Sequence, residues 1–289
     1  MSAKLLVILD ANLVMVRHTC FLFFFLLVCA GFNSLQAGNE NYSIGGRSAG
    51  LANASLTLTD LWSVHHNQAG LAYLEKISAG IFYENRYLLS ELSVKGGVAA
   101  IPTKSGVFGV SISSFGYSAY SENKYGVAYA RKLSDKFSVG IQLNYLSTQL
   151  SEPYGNKSVL AGEIGFRAQL TNELSAAAHI FNPTRAKLAD YNDERTPTIL
   201  RFGLGYAFSE KVTVVAEAEK DIDYAPAIKA GIEYYVIEQL YLRAGVGSKP
   251  FTSAFGFGLK LKQFQLDFAS TFHQTLGYTP QVSLSYDIK

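Results

Sequence analysis

Beyond Lys76 the chain alternates apolar and polar residues with a period of two. Phe137, Val139, Ile141, Leu143 and Tyr145 are interleaved with Ser138, Gly140, Gln142 and Asn144. Leu200, Phe202, Leu204, Tyr206 and Phe208 alternate with Arg201, Gly203, Gly205 and Ala207. Phe255, Phe257, Leu259 and Leu261 alternate with Gly256, Gly258 and Lys260. Successive side chains of a strand point to opposite faces, so each run sets an apolar face against a polar one. The pattern predicts strands at 77–88, 91–101, 105–115, 123–132, 136–148, 157–169, 173–181, 197–208, 211–219, 226–236, 239–247, 252–261, 263–272 and 280–288.

A soluble sandwich also alternates, but three features favour a transmembrane barrel. The runs are long enough to cross a bilayer at a tilt, which takes about 9–11 residues, whereas soluble strands average about 5–6. The polar face is rich in Gly, Ala and Ser, which suits a crowded lumen. The connections alternate in length. They are tight at 102–105, 134–135, 171–172, 209–210, 237–238 and 262, and looser at 115–123, 149–156, 182–196, 220–225, 248–252 and 273–279. Short turns belong on the periplasmic side of an outer-membrane barrel, and bacterial single-chain barrels have an even number of strands. The fold class expected is therefore all-β: a transmembrane antiparallel β-barrel of roughly fourteen strands, with a small N-terminal plug segment inside the lumen.

The plug expectation comes from Ile44–Leu74, the one stretch that breaks the alternation. It is rich in small residues and holds the only tryptophan, Trp62, and the only His-His pair, His65 and His66. Asp60 suits the N-cap of LWSVHH, and Asn67 that of QAGLAYL. The chain then divides into a signal peptide (1–37), a plug segment (38–76) and the barrel (77–289).

Composition bounds the rest. Hydrophobic residues make up 48% of the chain and the mean hydropathy is +0.12, too polar for a helical bundle in a membrane. The one long apolar run, Cys20–Ala30, follows Arg17 and His18 and precedes small residues up to Ala37, the pattern of a secretory leader. It is too short to span a bilayer. Met15 is an alternative start of translation. Both cysteines, Cys20 and Cys29, fall in the leader, so the mature chain has no disulfide and no thiolate metal site. The net charge of +2 gives no reason to invoke nucleic acid. The location expected is the outer membrane of a Gram-negative bacterium, with membrane lipid as the first partner.

No enzyme signature is present, and neither a cofactor nor a metal is expected. The GLG, GVG and GFG runs lie on strands with no helix after them, so they fail as dinucleotide fingerprints. Adjacent histidines on a helix point in different directions, so His65 and His66 do not chelate together. His179 falls on the inward face and His273 near a loop, without an assigned role. The inward faces carry Glu84, Arg86, Lys95 and Asp287. They also carry a run of interleaved charges: Glu163, Arg167, Arg201, Glu217, Glu219, Lys229, Glu233, Arg243, Lys260 and Asp267. Interleaved signs read as a structural network, because a selective pore shows a bias of one sign. The inward apolar candidates are Phe82, Ile101, Val107, Phe181 and Val215, few for a pocket lined by apolar groups.

Gly46-Arg47, Gly50, Ala54, Asp60, Asn67 and Ala69-Gly70-Leu71 together form a motif. It resembles the N-terminal segment of the FadL/PorV-like outer-membrane proteins, with their Gly-Ala-Arg and Gly-Met-Gly-Gly-Ala stretch, acidic turn and Asn-Pro-Ala-Gly-Leu. Gln68 stands where that pattern has proline. The resemblance implies a fourteen-stranded barrel around an N-terminal plug. It leaves two functions. FadL-like members resemble passive channels for long-chain fatty acids and other hydrophobic small molecules. PorV- and PorQ-like members resemble accessory barrels of the type IX secretion system of Bacteroidetes, whose partners are secretion-system components or exported proteins. The short loops here point to the PorV/PorQ branch, with the FadL-like channel as the alternative.

The leader reading carries a test. N-terminal sequencing of the membrane-extracted protein is expected to start near Gly38, and a retained Cys20–Ala30 segment would refute it.

Overall fold

A computed structural model describes residues 44–151, 155–187 and 195–288. The leader at 1–37 and the first residues of the plug segment, 38–43, lie outside the described residues. The strands are β1 (Ser78–Asn85), β2 (Ser93–Pro102), β3 (Val107–Tyr117), β4 (Tyr120–Lys132), β5 (Phe137–Leu150), β6 (Asn156–Gln169) and β7 (Leu174–Phe181). They continue with β8 (Ile199–Ser209), β9 (Val212–Asp221), β10 (Ala227–Ile237), β11 (Leu240–Ser248), β12 (Phe251–Leu261), β13 (Phe264–His273) and β14 (Gly277–Asp287). Each pairs antiparallel with its neighbours in sequence, and β1 pairs with β14 from Ser78↔Asp287 to Glu84↔Gln281. Fourteen strands thus form a closed barrel with no free edge. Closure satisfies every ladder hydrogen bond inside the sheet, the condition for a sheet to cross a bilayer.

The phase of the alternation decides which face meets lipid. Phe202 is 61% exposed while its neighbour Arg201 is 3% exposed. Phe137, Ile141, Leu204, Phe255 and Phe257 share the outward phase and are exposed too. A soluble protein does not present a continuous belt of this kind to water, whereas a hydrocarbon layer accommodates it. No helix among the described residues is long and apolar enough to cross a membrane.

Three local expectations are corrected. First, Lys95 and Ile101 point outward, and Val94, Val98 and Ala100 point in. Strand β2 is apolar on both faces, so its alternation carries no phase. Second, β1 stops at Asn85, and two 3-10 turns, Arg86–Leu88 and Ser90–Leu92, fill a connection that the pattern had left almost no room for. Third, the contrast in connection length is smaller than expected. Residues 118–119 and 249–250 make tight turns on the looser side, where the longest connection in sequence runs from 182 to 198.

Ser78 and Asp287, the ends of the barrel, lie together at the rim that carries the turns 133–136, 170–173, 210–211, 238–239 and 262–263. This is the turn side, and the opposite rim is the loop side. An arginine at Ile141 or Phe255, mid-belt, is expected to cost about 2–4 kcal/mol. Refolding titrations into bilayers measure it. A change of Ser113 to Asn on the inner face should cost much less, and equal costs would argue against a lipid belt.

The plugged lumen as candidate functional site

The plug opens with a helix, α1 (Gly46–Gly50), which lies against β12 and β13. Ala52 and Asn53 turn the chain with φ near 52° and 63°. A second short helix, α2 (Ser63–His66), follows, and then a 3-10 helix at Gln68–Tyr73. Asn67 caps the 3-10 helix through Oδ1, which accepts from the Ala69 N–H at 3.2 Å. Asp60 is not the N-cap of α2, a position held by Trp62. Its Oδ1 instead accepts from the Trp62 N–H at 3.0 Å, closing the turn one step earlier. The carboxylate is thereby free to use its other oxygen on Arg47.

Plug and wall meet at three buried carboxylates. Glu233 on β10 takes Arg47 in a two-pronged pair, Nε at 3.0 Å and Nη2 at 2.6 Å. Arg47 Nη1 reaches Asp60 at 2.9 Å. Arg243 on β11 joins Glu233 at 2.6 Å and Asp267 on β13 at 2.6 Å. Glu217 on β9 accepts the main-chain N–H groups of Ser55 and Leu56 at 3.0 and 3.1 Å. Beside it, Glu219 holds Lys229 at 2.7 Å and Arg201 at 2.9 Å. Glu163 on β6 accepts from Gln68 Nε2 at 2.8 Å, Lys124 Nζ at 2.7 Å and Asn144 Nδ2 at 2.8 Å, with His179 Nε2 at 2.9 Å. Charges this deep persist only when paired and hydrogen-bonded.

The other motif residues serve close packing. Ala54 joins Leu51, Leu58 and Val215 in a small cluster. The Ala69 carbonyl accepts from Ser138 Oγ at 3.0 Å, and Leu71 packs into a larger apolar cluster. Asn67 donates to the carbonyls of Leu56 and Phe166. Gly46, Gly50 and Gly70 sit buried in the plug. Two wall glycines are dictated by close approach. A Cβ at Gly165 would lie 2.0 Å from Asn67 Oδ1, and one at Gly140 would lie 2.4 Å from the Gln68 carbonyl carbon. Any side chain there would lift the 3-10 helix off the wall.

Two residues expected in the charge network stand apart from it. Lys260 is exposed at the turn-side rim, where water solvates its ammonium. Arg167 lies four residues from Glu163 on one strand, about 13 Å away by strand rise. It turns instead to the Thr57 carbonyl at 3.0 Å, to Gln169 and to the ring of Tyr73. Conversely, sequence reasoning passed over Lys124, Gln142 and Asn144, and gave His179 no role. A signal for Lys124 existed: Lys124, Gly126, Ala128 and Ala130 alternate with Tyr125, Val127 and Tyr129. Gln68, where the motif has proline, needs its side chain for Glu163.

The lumen is divided in character. The wall hydrogen bonds of the plug reach β5, β6, β9, β10 and β14, the last through Gly46 N–H to Ser283 Oγ at 2.9 Å. Toward β1–β4 the contacts are carbon on carbon, save the Lys132 ammonium over the Tyr73 ring at 4.6 Å near the turn-side rim. Trp62, Val64 and Leu71 meet Phe82, Val94, Val98, Val107 and Ala128, with Trp62 edge-on to Phe82. None of the ring nitrogens of His65 and His66 makes a well-formed hydrogen bond. Burial holds both rings neutral. It pushes His66 down to about 4, with Arg201 and His179 adding to the fall and Asp60 opposing it. For His65, burial is again the main cause of a fall well below the usual range, and Lys124 adds to it. Among the described residues no group of three His, Cys, Asp or Glu is placed to hold a metal.

No family model matches this chain, and no curated protein sequence matches it. Solved structures do. The toluene transporter TbuX of Ralstonia pickettii superposes with a TM-score of 0.66 at 11% identity, over 86% of this chain and 99% of that one. A FadL homologue of Pseudomonas aeruginosa gives 0.64 at 12% identity, over 88% and 100%. The toluene transporter TodX of Pseudomonas putida gives 0.63 at 12%, over 86% and 99%. At such identities the likeness is one of fold, and the fold is that of FadL-type barrels.

Two outcomes are expected from the site. Glu233→Ala removes the carboxylate that Arg47 and Arg243 share, leaving them Asp60 and Asp267, and should cost up to about 3 kcal/mol of plug docking. Faster hydrogen exchange across 44–74, with the strands unchanged, would register it. The second concerns pH. His66 is depressed in the folded state relative to about 6.5 when unfolded, so its contribution is full above 6.5 and is lost as pH falls toward 4. Exchange in the plug should therefore rise on acidification over that window, and His66→Asn should flatten the rise.

Proposed function

We propose that this protein is a passive channel for small hydrophobic molecules across the outer membrane of a Gram-negative bacterium, with Ile44–Leu74 as its gate. The reading rests on one observation. The plug is held by ion pairs and hydrogen bonds on one side of the lumen, and by carbon contacts on the side of β1–β4. A hydrophobic molecule passing between Trp62, Val64 and Leu71 and the wall residues Phe82, Val94, Val98 and Val107 replaces one apolar contact with another. No buried charge loses its partner, so the displacement costs little beyond repacking. The same passage along β9–β11 would break the pairs of Glu217 and Glu233. The structural likeness to proteins described as toluene transporters supports this reading, and none of the geometry calls for catalysis.

The PorV/PorQ-like reading, expected from the short loops, keeps one observation in its favour: most loop-side connections are only a few residues long, and the longest spans residues 182–198. The neighbours favour the channel over it. A deletion strain separates the two. Uptake of labelled toluene and of a long-chain fatty acid should fall severalfold while surface display of exported proteins stays normal. Arg47→Ala, which loosens the gate, should raise uptake of small hydrophobic probes into proteoliposomes. Normal uptake with lost surface display would reverse the assignment.

A further inference from the structure

At the loop side, the plug and the wall enclose a cleft of about 160 Å³ that the channel reading does not use. Asn53 of the plug forms part of its lining, with Thr252, Thr271, Thr279 and Gln281 from the wall. Tyr87, His273 and Pro250 supply ring surface, and Glu84 and Arg86 complete the lining. The cation and the carboxylate pair with each other, so the cleft presents no net charge to a ligand. Tyr87 and His273 meet edge to face at 6.2 Å. The Nδ1 of His273 accepts the N–H groups of Thr275 and Leu276, which leaves Nε2 as the ring nitrogen that can donate. Gln281 spends its amide N–H on Glu84, and its buried Oε1 has no partner. Such an orphan acceptor calls for an explanation. The lip of the cleft is strained: Tyr87 and Leu88 have φ of 55° and 60°. Backbone strain in non-glycine residues gathers at ligand clamps.

We propose that this cleft binds one neutral sugar ring, either free or at the end of a surface glycan. Three properties select that class. The lack of net charge disfavours anions and cations. The threonine hydroxyls and the amides of Asn53 and Gln281 both donate and accept, which matches a ligand whose hydroxyls do the same. The Tyr87, His273 and Pro250 surfaces match the C–H face of a pyranose, an apolar body with polar edges. Because Asn53 belongs to the plug, an occupied cleft touches the gate from outside. The inference does not depend on what the channel carries.

The test is saturation-transfer NMR and competition titration on the purified full barrel, in a detergent without a sugar headgroup. The probes are glucose, galactose, mannose and N-acetylglucosamine, with their disaccharides. At least one probe should bind saturably. Tyr87→Asn removes the ring yet tolerates the left-handed backbone, and it should weaken binding about tenfold or more. Gln281→Leu should do the same, and Lys262→Ala at the opposite rim should leave binding unchanged. Heat-modified gel migration and strand circular dichroism confirm that each variant is folded. Disaccharides binding tighter than monosaccharides identify a glycan terminus, and equal affinities identify a free sugar. Failure of every probe to bind, or binding indifferent to both cleft variants, would overturn the proposal.

Discussion

Burial of charge inside a closed barrel is the constraint on which the rest depends. Glu163, Glu217 and Glu233 sit on strands whose outer faces meet lipid and whose inner faces meet the plug. Each takes a different donor from the plug: an amide side chain from Gln68, two main-chain N–H groups from Ser55 and Leu56, and a guanidinium from Arg47. Donors of three kinds, at three points around the wall, leave the plug one way to sit. A shift of one residue would cost each carboxylate the donor it takes from the plug. The ion pairs specify a position more than they add stability, since apolar packing could supply comparable energy.

The other half of the lumen has no such demand. Trp62, Val64 and Leu71 press on Phe82, Val94, Val98 and Val107, and dispersion contacts of this kind tolerate exchange of one apolar surface for another. The wall is thus a polar clamp facing an apolar slide. The proposed gate rests on that asymmetry rather than on any single residue. His65 and His66 lie in the same plug, neutral and buried, and charging them would load that plug with unpaired cations.

Much of the barrel was legible because a period of two is a local property. The phases of β5, β8 and β12 follow from Ile141, Phe202 and Phe255 against their polar neighbours. Strand β2 departs from the expected phase, with Lys95 and Ile101 outward, because its two faces differ too little in polarity to show one. The site was legible only as a set of inward charges. Glu233, Arg243, Glu217 and Glu219 could be named from phase. The partners of Glu163 could not, since strand rise separates Arg167 from it, while two successive strand pairings along the wall bring Lys124 to that carboxylate and the plug brings Gln68.

The alternation, the small-residue stretch at 44–74 and the inward carboxylates are properties of the chain read locally, and they determined a plugged barrel with polar groups inside. What joins those groups was decided by closure. Only a sealed sheet sets β6, β9 and β10 around one plug. There Arg47 meets Asp60, thirteen positions along the chain, and Glu233, a hundred and eighty-six positions away, in one ion cluster. Glu163, Glu217 and Glu233 are buried, so each carboxylate must find its donor wherever the fold supplies one. That place is fixed by the register and curvature of the whole barrel, not by the residues on either side of the carboxylate in the chain.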